Sequence, residues 1–589
     1  MPNCFPMRDV LVTREAEGTL KSSSKNSARG IPDSGLQGLM PLTMPLANGF
    51  LNGFGVDALV IAVYFTGICA IGIRAGRGST TLKEFALGGR SIPWWAVLAS
   101  IIAAETSAAT FLGTPAEGFK TRAFFYGQLA IGTVIARVVI AFTFIGPYYR
   151  YGVNSIYEFL MVRFGPRTKN AASGIFLFTR VLGIGVRLYL GGLILVVLWR
   201  YLFPGVSVTL GNYFWGILLV TLITTAYTMV GGIKAVVWTD LIQAALMLGS
   251  VCFVLWFLIH HLGGIRSTGR ALGGWSQLHW IQVGWDRSLP FGPALAAMLS
   301  EPYTIFAAVI GSTFFTMATH GTDQDMVQRL LTAPNPQKSR LSLILSGFAD
   351  IPIAVAFLGV GVLLYLYYTG PGGGVPDIPD NEIFAHFIVH DLPTGLRGLI
   401  IAGVFATMMG STSAALNALA TSFTSDFYLP YINPGADERA SVRAARVATL
   451  VFGLLMVLVG TAAAYSVLKD PRLTIIPLAI GVLGYTYGAL LGIFLLGMLT
   501  STRGSDRTNV PAMCGGIIAV FFLGKVHLPG LVDFGRWMPS WWPVIAWPWY
   551  VLIGCAMTIV LAAPFHTVEG VKGFRDRSKN LNNLFGVFS

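Results

Sequence analysis

Apolar runs of about 20 residues recur from residue 55 almost to the C-terminus, each long enough to cross the ~30 Å hydrocarbon core of a bilayer as a helix. In lipid, backbone polar groups are satisfied only in helices or in a closed barrel. Unbroken runs such as GILLVTLITTAYTMVGG lack the alternation of barrel strands. Hydropathy places thirteen spans, centred on residues 59–73, 93–113, 123–147, 172–199, 212–230, 236–260, 292–321, 342–368, 396–425, 443–465, 473–499, 509–528 and 541–563. The chain reads as one polytopic helical domain over 55–565. Residues 1–54 form an extension of disordered composition (KSSSKNSARGIPDSG) and 566–589 a cytoplasmic tail. The extension lacks the order of a signal peptide, and Met40 or Met44 suits the first span better as a start.

A net charge of +13 would suit nucleic acid if it were gathered on one surface, but here the cations sit in short loops. Arg74, Arg77, Lys83 and Arg90 follow the first span, and Arg150, Arg163, Arg167 and Lys169 the third. Arg329, Lys338, Arg340, Arg439, Arg443 and Arg446 lie on the same side, as do the tail residues Lys572, Arg575, Arg577 and Lys579; the acidic loop GPGGGVPDIPDNEIF lies opposite. The positive-inside rule then puts the N-terminus outside and the C-terminus in the cytoplasm. The expected setting is a bacterial inner membrane, with the bilayer and a small solute as partners and no nucleic acid. Of five cysteines, Cys69, Cys252, Cys514 and Cys555 lie in or beside spans and read as small core residues. Cys4 lies in a polar stretch, and neither a disulfide framework nor a zinc spacing is visible.

Only 11% of residues are charged, against about 25% in soluble domains. A charge at the bilayer centre costs roughly 2.5–3.5 kcal/mol on insertion scales, so each one needs a reason. Glu105, Arg187 and Asp240 stand within spans, whereas Glu301, Asp323 and Asp350 lie nearer to span ends or prolines and read as interfacial. The second span, IIAAETSAATFLGTPAEGF, combines small residues with Glu105, Thr106, Ser107 and Thr110 and is a candidate for interruption. The seventh shows a matching polar stretch, STFFTMATHGTDQDMVQR, with Thr313, Thr316, Thr319 and His320 before Gly321. Two interrupted spans five apart are the pattern of an inverted repeat of five plus five with a midplane site. Hydroxyl-bonded continuous helices are the alternative. The ninth span gathers Thr407, Ser411, Thr412, Ser413, Asn417 and Thr421, neutral oxygens suited to a monovalent cation or, alternatively, a small-residue packing face. Asp240, in GGIKAVVWTDLIQ, either faces that region or caps a helix end.

The segments VGGIKAVVWTDLIQ, GTDQDMVQR, DLPTGLRGLIIAGVFATMMGSTSAALNALATSFTSDFY and YGALLGIFLLGML, in this order, resemble the sodium:solute symporter family over about residues 55–565. The resemblance implies an all-α polytopic fold of about 13 transmembrane helices, a LeuT-type five-plus-five inverted repeat with broken second and seventh spans. It implies a sodium site made by the carbonyls of Ala103, Thr106 and Thr407 and by hydroxyl positions that fall at Gly410 and Ser411. Gly410 has no hydroxyl, so at most one of the usual pair is present unless Thr412 or Ser413 moves in. A second sodium, held in some members, would involve Asp240 and Ser413, but the next serine position is Ala414; a single sodium is the expectation. Substrate positions fall at Glu105, Ser107, Thr110, Gln128, Arg187, Thr316 and Thr319, with Tyr485 and Tyr487 after them. Glu105 would pair with Arg187, contact a cationic or hydroxyl-bearing solute, take a proton, or lie buried and neutral. Arg187 would favour a carboxylate, since a guanidinium matches it in bidentate fashion, or would snorkel.

The implied activity is secondary active transport, with sodium entry as the coupling ion flux driving uptake of a sugar, organic acid or amino acid. A proton-coupled symporter of the same fold and a non-transporting solute sensor are the alternatives. A membrane enzyme is excluded by scattered histidines and by the absence of H-E-x-x-H, G-x-S-x-G and phosphate-loop motifs. Oligomeric state is not readable, because lipid-facing and partner-facing apolar surfaces look alike.

Overall fold

The computed structural model describes residues 54–76, 80–370, 373–469, 475–528 and 532–567. Nearly all of the N-terminal extension, with Cys4, and most of the tail lie outside them. Helix dominates, and the one sheet among the described residues is a two-stranded antiparallel ladder, His527–Leu528 with Val532–Asp533.

We number the helices that build the core in chain order: α1 Gly55–Ala75, α2 Trp94–Glu105, α3 Ala108–Thr121, α4 Leu129–Thr143, α5 Pro166–Leu202 and α6 Leu210–His261. Then come α7 Ser312–Gly321, α8 Gln324–Leu330, α9 Pro336–Thr369, α10 Leu396–Phe423, α11 Glu438–Lys469 and α12 Ile475–Leu499. By length and apolarity eight helices among the described residues suffice to cross a bilayer, or nine if the pair Leu82–Arg90 and Trp94–Glu105, bent by 115°, is one span.

Three regions depart from a plain crossing, each for a local reason. The 52 residues of α6 would make a helix of about 78 Å, more than two hydrocarbon thicknesses. Gly232 breaks it with φ 55° and ψ −150°, in a region essentially reserved for glycine, and a Cβ there would stand 2.6 Å from the Phe85 carbonyl oxygen. We expect Gly232→Ala to lower stability by about 2–3 kcal/mol, read as a fall in the thermal unfolding midpoint of the purified protein; an unchanged midpoint would mean the chain bends elsewhere.

The second span breaks where its polar residues begin. Helix α2 ends at Glu105, Thr106 (ψ 88°) and Ser107 (ψ 168°) leave helical space, and α3 starts at Ala108. The seventh corrects its expected outline of 292–321. Phe291–Ser300 is a separate short helix followed by non-helical Glu301, and a π-turn at Ala307–Gly311 leads into α7. A break at Thr322 and Asp323 then separates α7 from α8. The two discontinuities lie five spans apart, within the five-plus-five inverted repeat.

The most central span is Leu396–Ile432, 94% buried in its apolar window against 17% for α1, so the small-residue stripe of α10 serves close helix packing. Asp57 of α1 anchors its start, accepting from the Gly395 and Gly398 amides (2.7 and 2.8 Å) and from Arg397 Nε (2.7 Å). Cys555 is buried, but Cys252 and Cys514 are exposed, not core, residues; a small apolar thiol is equally at home on an apolar outer surface.

Candidate functional site

Between the two broken spans lies a cavity of about 300 Å³. Of the substrate positions, Glu105, Ser107, Thr110, Arg187, Thr316 and Thr319 line it, together with Thr114, Thr133, Arg180 and His320. Gln128, Tyr485 and Tyr487 are not among the lining residues. Gln128 Nε2 donates to the Tyr303 carbonyl, Tyr485 packs on Phe521 and Tyr550, and the Tyr487 hydroxyl donates to Asp323 Oδ2 at 2.6 Å.

Glu105 does not pair with Arg187. Its carboxylate meets the Arg137 guanidinium of α4 and His320 Nε2 at the end of α7. The same Arg137 Nη2 reaches Asp350 Oδ2 of α9 at 2.8 Å, and Asp350 also accepts from Thr133 Oγ1 at 3.3 Å. Arg137 is wholly buried, so a carboxylate on either side is what makes its burial tolerable. This corrects the interfacial reading of Asp350, and Asp323 was misread in the same way. Asp323 is buried at the α7–α8 break, 3.0 Å from Arg180 Nη1. Arg137 and Arg180 were both missed, although each interrupts an apolar run in the sequence (GTVIARVVIAF and FLFTRVLGIG).

From Arg180 the ion pairs continue inward. Arg180 meets Asp325, which meets Arg329, and Arg329 Nη2 lies 3.1 Å from Asp240 Oδ2. Ser100 of α2 donates to the same Asp240 oxygen at 2.6 Å and accepts from Arg329 Nε at 2.8 Å. Asp240 is therefore buried and ion-paired and does not merely cap a helix, and its Oδ1 lies 3.6 Å from where a Cβ on Gly410 of the ninth span would stand. Arg187, by contrast, lines the cavity with no carboxylate within ion-pair distance among the described residues.

Of the residues that the resemblance assigns to sodium, Ala103 and Gly410 are brought side by side. The Ala103 carbonyl oxygen lies 3.2 Å from where a Cβ on Gly410 would stand. Thr106, Thr407, Ser411, Ser413 and Asp240 are all buried. The Ser411 hydroxyl donates to the Thr407 carbonyl (3.0 Å) and that of Ser413 to the Gly410 carbonyl (3.1 Å). The chemistry suits a hard monovalent cation: buried carbonyl, hydroxyl and carboxylate oxygens, and, among the described residues, no cluster of His, Cys, Asp or Glu that would hold a transition metal.

The cavity reaches towards Glu117, Tyr126, Tyr303 and Trp547, at one end of the bundle. The other end is tied shut. Tyr148 donates to the Gly321 carbonyl (2.6 Å), Tyr149 to the carbonyls of Leu330 (2.9 Å) and Ala333 (2.8 Å), and Gln328 to the Ala86 carbonyl and Asn417 Oδ1 (both 2.6 Å). Beside Lys169 and Asp426, paired at 3.3 Å, sits Glu158 on the loop helix Tyr157–Arg163; burial, aided by the Asp426 charge, pushes its carboxyl up to about 7. A carboxyl raised on folding favours the protonated folded state. Stability should therefore fall as pH rises from about 5 to about 7 and level off above. Glu158→Gln should flatten that slope in pH-dependent thermal unfolding.

The sequence profile of the sodium:solute symporter family matches residues 85–518. Sodium-coupled monocarboxylate transporter 2 of Mus musculus is 28% identical over 451 residues, 75% of this chain and 68% of its own. The sodium/sialic acid symporter SiaT of Proteus mirabilis is 27% identical over 474 residues, covering 80% and 90%. A solved structure of a Na+-coupled sialic acid symporter in a substrate-bound outward-open state superposes with a TM-score of 0.69 at 23% identity, over 86% of this chain and 96% of that one. A membrane-embedded chain with two interrupted helices around a solute-sized cavity, matched over most of its length by that profile, belongs to the sodium:solute symporter family.

Proposed function

We propose that this sodium-coupled transporter takes up a small organic solute bearing a carboxylate, bound against Arg187. The observation that carries this is the guanidinium's position in the cavity without a carboxylate of its own, while Glu105, Asp323 and Asp325 are all engaged by other cations. Ser107, Thr110, Thr316 and Thr319 supply neutral hydroxyls for the rest of the solute. Names of relatives support the class, since monocarboxylates and sialic acid all carry a carboxylate.

In this reading the N-terminus lies outside a bacterial inner membrane, the C-terminus lies in the cytoplasm, and the open end of the cavity faces outward. Solute and sodium complete the contacts across the broken spans, and rocking of one bundle against the other exposes both to the cytoplasm. The solute's charge matters to the energetics. One net positive charge moving inward through about 100 mV releases roughly 2.3 kcal/mol, about a 50-fold accumulation. A monovalent carboxylate entering with one sodium moves no net charge, so only the sodium gradient drives it; a second sodium restores the electrical term.

The test is thermal stability of the purified protein with sugars, organic acids and amino acids, each in sodium and in choline. A ligand at about 100 times its Kd adds roughly 2.7 kcal/mol. A carboxylate that stabilises only in sodium, with its uncharged amide inert, is the expected result. Stabilisation by neutral sugars alone would overturn the carboxylate reading. Equal stabilisation in choline would point to proton coupling or to a sensor.

A further inference from the structure

The resemblance treats Gly410 as a missing ligand; the structure gives the glycine a different meaning. The point where a Cβ on Gly410 would stand is 3.0 Å from Gln243 Oε1, 3.2 Å from the Ala103 carbonyl oxygen and 3.6 Å from Asp240 Oδ1. Three oxygens from the sixth, second and sixth spans thus converge on a spot beside the ninth, and the absence of a side chain keeps it clear. Gln243 is 1% exposed and Asp240 0%. The two oxygens Gln243 Oε1 and Asp240 Oδ1 meet no hydrogen-bond donor, while the rest of the Gln243 amide lies towards the Tyr64 and Tyr227 hydroxyls; buried acceptors left facing one another in this way are unfavourable unless something fills the space between them.

We propose that a sodium-sized monovalent cation binds in the space that Gly410 leaves, held by the Ala103 carbonyl, Gln243 Oε1 and Asp240 Oδ1. Gln243 then supplies the neutral oxygen that a hydroxyl at position 410 would otherwise provide. The inference rests on the sodium coupling assigned above and shifts the ion towards the sixth span.

Charge counting fixes the valence. Asp240, Asp323 and Asp325 form one connected cluster with Arg180 and Arg329, three carboxylates against two guanidinium groups. One monovalent cation at the free Asp240 oxygen makes it neutral, whereas a divalent ion would leave an excess positive charge in a low-dielectric interior. Arg329 does not stand in for the ion, because it engages only Oδ2 of Asp240 and is shared with Asp325.

The two placements of the ion make opposite predictions for one residue. If the hydroxyl pair holds sodium, Gly410→Ser restores the missing ligand and tightens binding. If the ion sits in the vacated space, Gly410→Ser and Gly410→Ala both fill it and weaken binding by about tenfold or more, close to 1.4 kcal/mol.

The readout is binding of radioactive sodium to the purified full-length protein, with no solute present and with the unfolding midpoint in choline as the folding control. Tighter or unchanged binding in Gly410→Ser overturns the proposal while leaving sodium coupling intact. No sodium binding by the wild type overturns both. Should the glycine variants fail to fold, Gln243→Met decides: it keeps the volume and removes the oxygen, and unchanged affinity would overturn the proposal.

Discussion

Arg187→Met should abolish sodium-dependent stabilisation by carboxylate solutes and leave the unfolding midpoint of the solute-free protein nearly unchanged. Both halves follow from the same fact. The Arg187 guanidinium lines the cavity and has no carboxylate partner among the described residues, so its removal unpairs nothing in the folded chain. A bound carboxylate, however, would lose a charge-assisted, two-pronged contact. Truncating one side of such a pair costs about 2–5 kcal/mol, roughly 30- to several-thousand-fold in affinity. Arg187→Lys should recover only part of this, because an ammonium cannot present the paired donors. Persistence of carboxylate binding in Arg187→Met would assign the recognition to Arg180, the other cation of the cavity wall.

Arg137→Met should show the opposite signature: a large loss of stability before any solute is added. Arg137 is wholly buried and stands between Glu105 and Asp350, and its removal leaves two carboxylates facing a non-polar side chain. Breaking a buried pair by deleting one partner costs about 3–5 kcal/mol. The unfolding midpoint should fall accordingly, and a second change that neutralises Asp350, Asp350→Asn, should restore part of it. An Arg137→Met protein as stable as wild type would mean that water already reaches this cluster and screens it.

Much of the fold was legible because it depends on local properties of the chain. Runs of apolar residues set the helices, and the hydroxyls and small residues around Thr106 and Ser107 marked a place where a helix can stop. The seventh span was harder. Its polar stretch was visible, but Glu301 and the π-turn after it shortened the helix from the other side.

Pairing was not legible. Glu105 and Arg137 are 32 residues apart, and Arg137 and His320 183 apart, so no spacing rule connects them. Arg187 attracted the expectation of pairing because it is the same kind of group at a comparable depth. Asp350 was discounted for its proline neighbour, although Pro352 lies within α9 and leaves the carboxyl inside the bundle. Gln243 stood in a segment whose family likeness was plain, but a neutral amide in an apolar span raises no alarm. Its significance rests on Gly410, 167 positions further along the chain by the numbering.

The alternating line Arg180, Asp325, Arg329, Asp240 ties α5, α8 and α6 together, across the bundle that the proposed rocking would have to open. Each member is shared with the next, so helices cannot part by a small amount without stranding a charge away from water. At about 3–5 kcal/mol for one stranded group, half-open arrangements would be populated on the order of a hundred- to several-thousand-fold less than either end state. In the proposed cycle such a line would act as a latch against slippage: solute or ion alone would find few moments in which to leak across, and the gradient would be kept for complete turnovers.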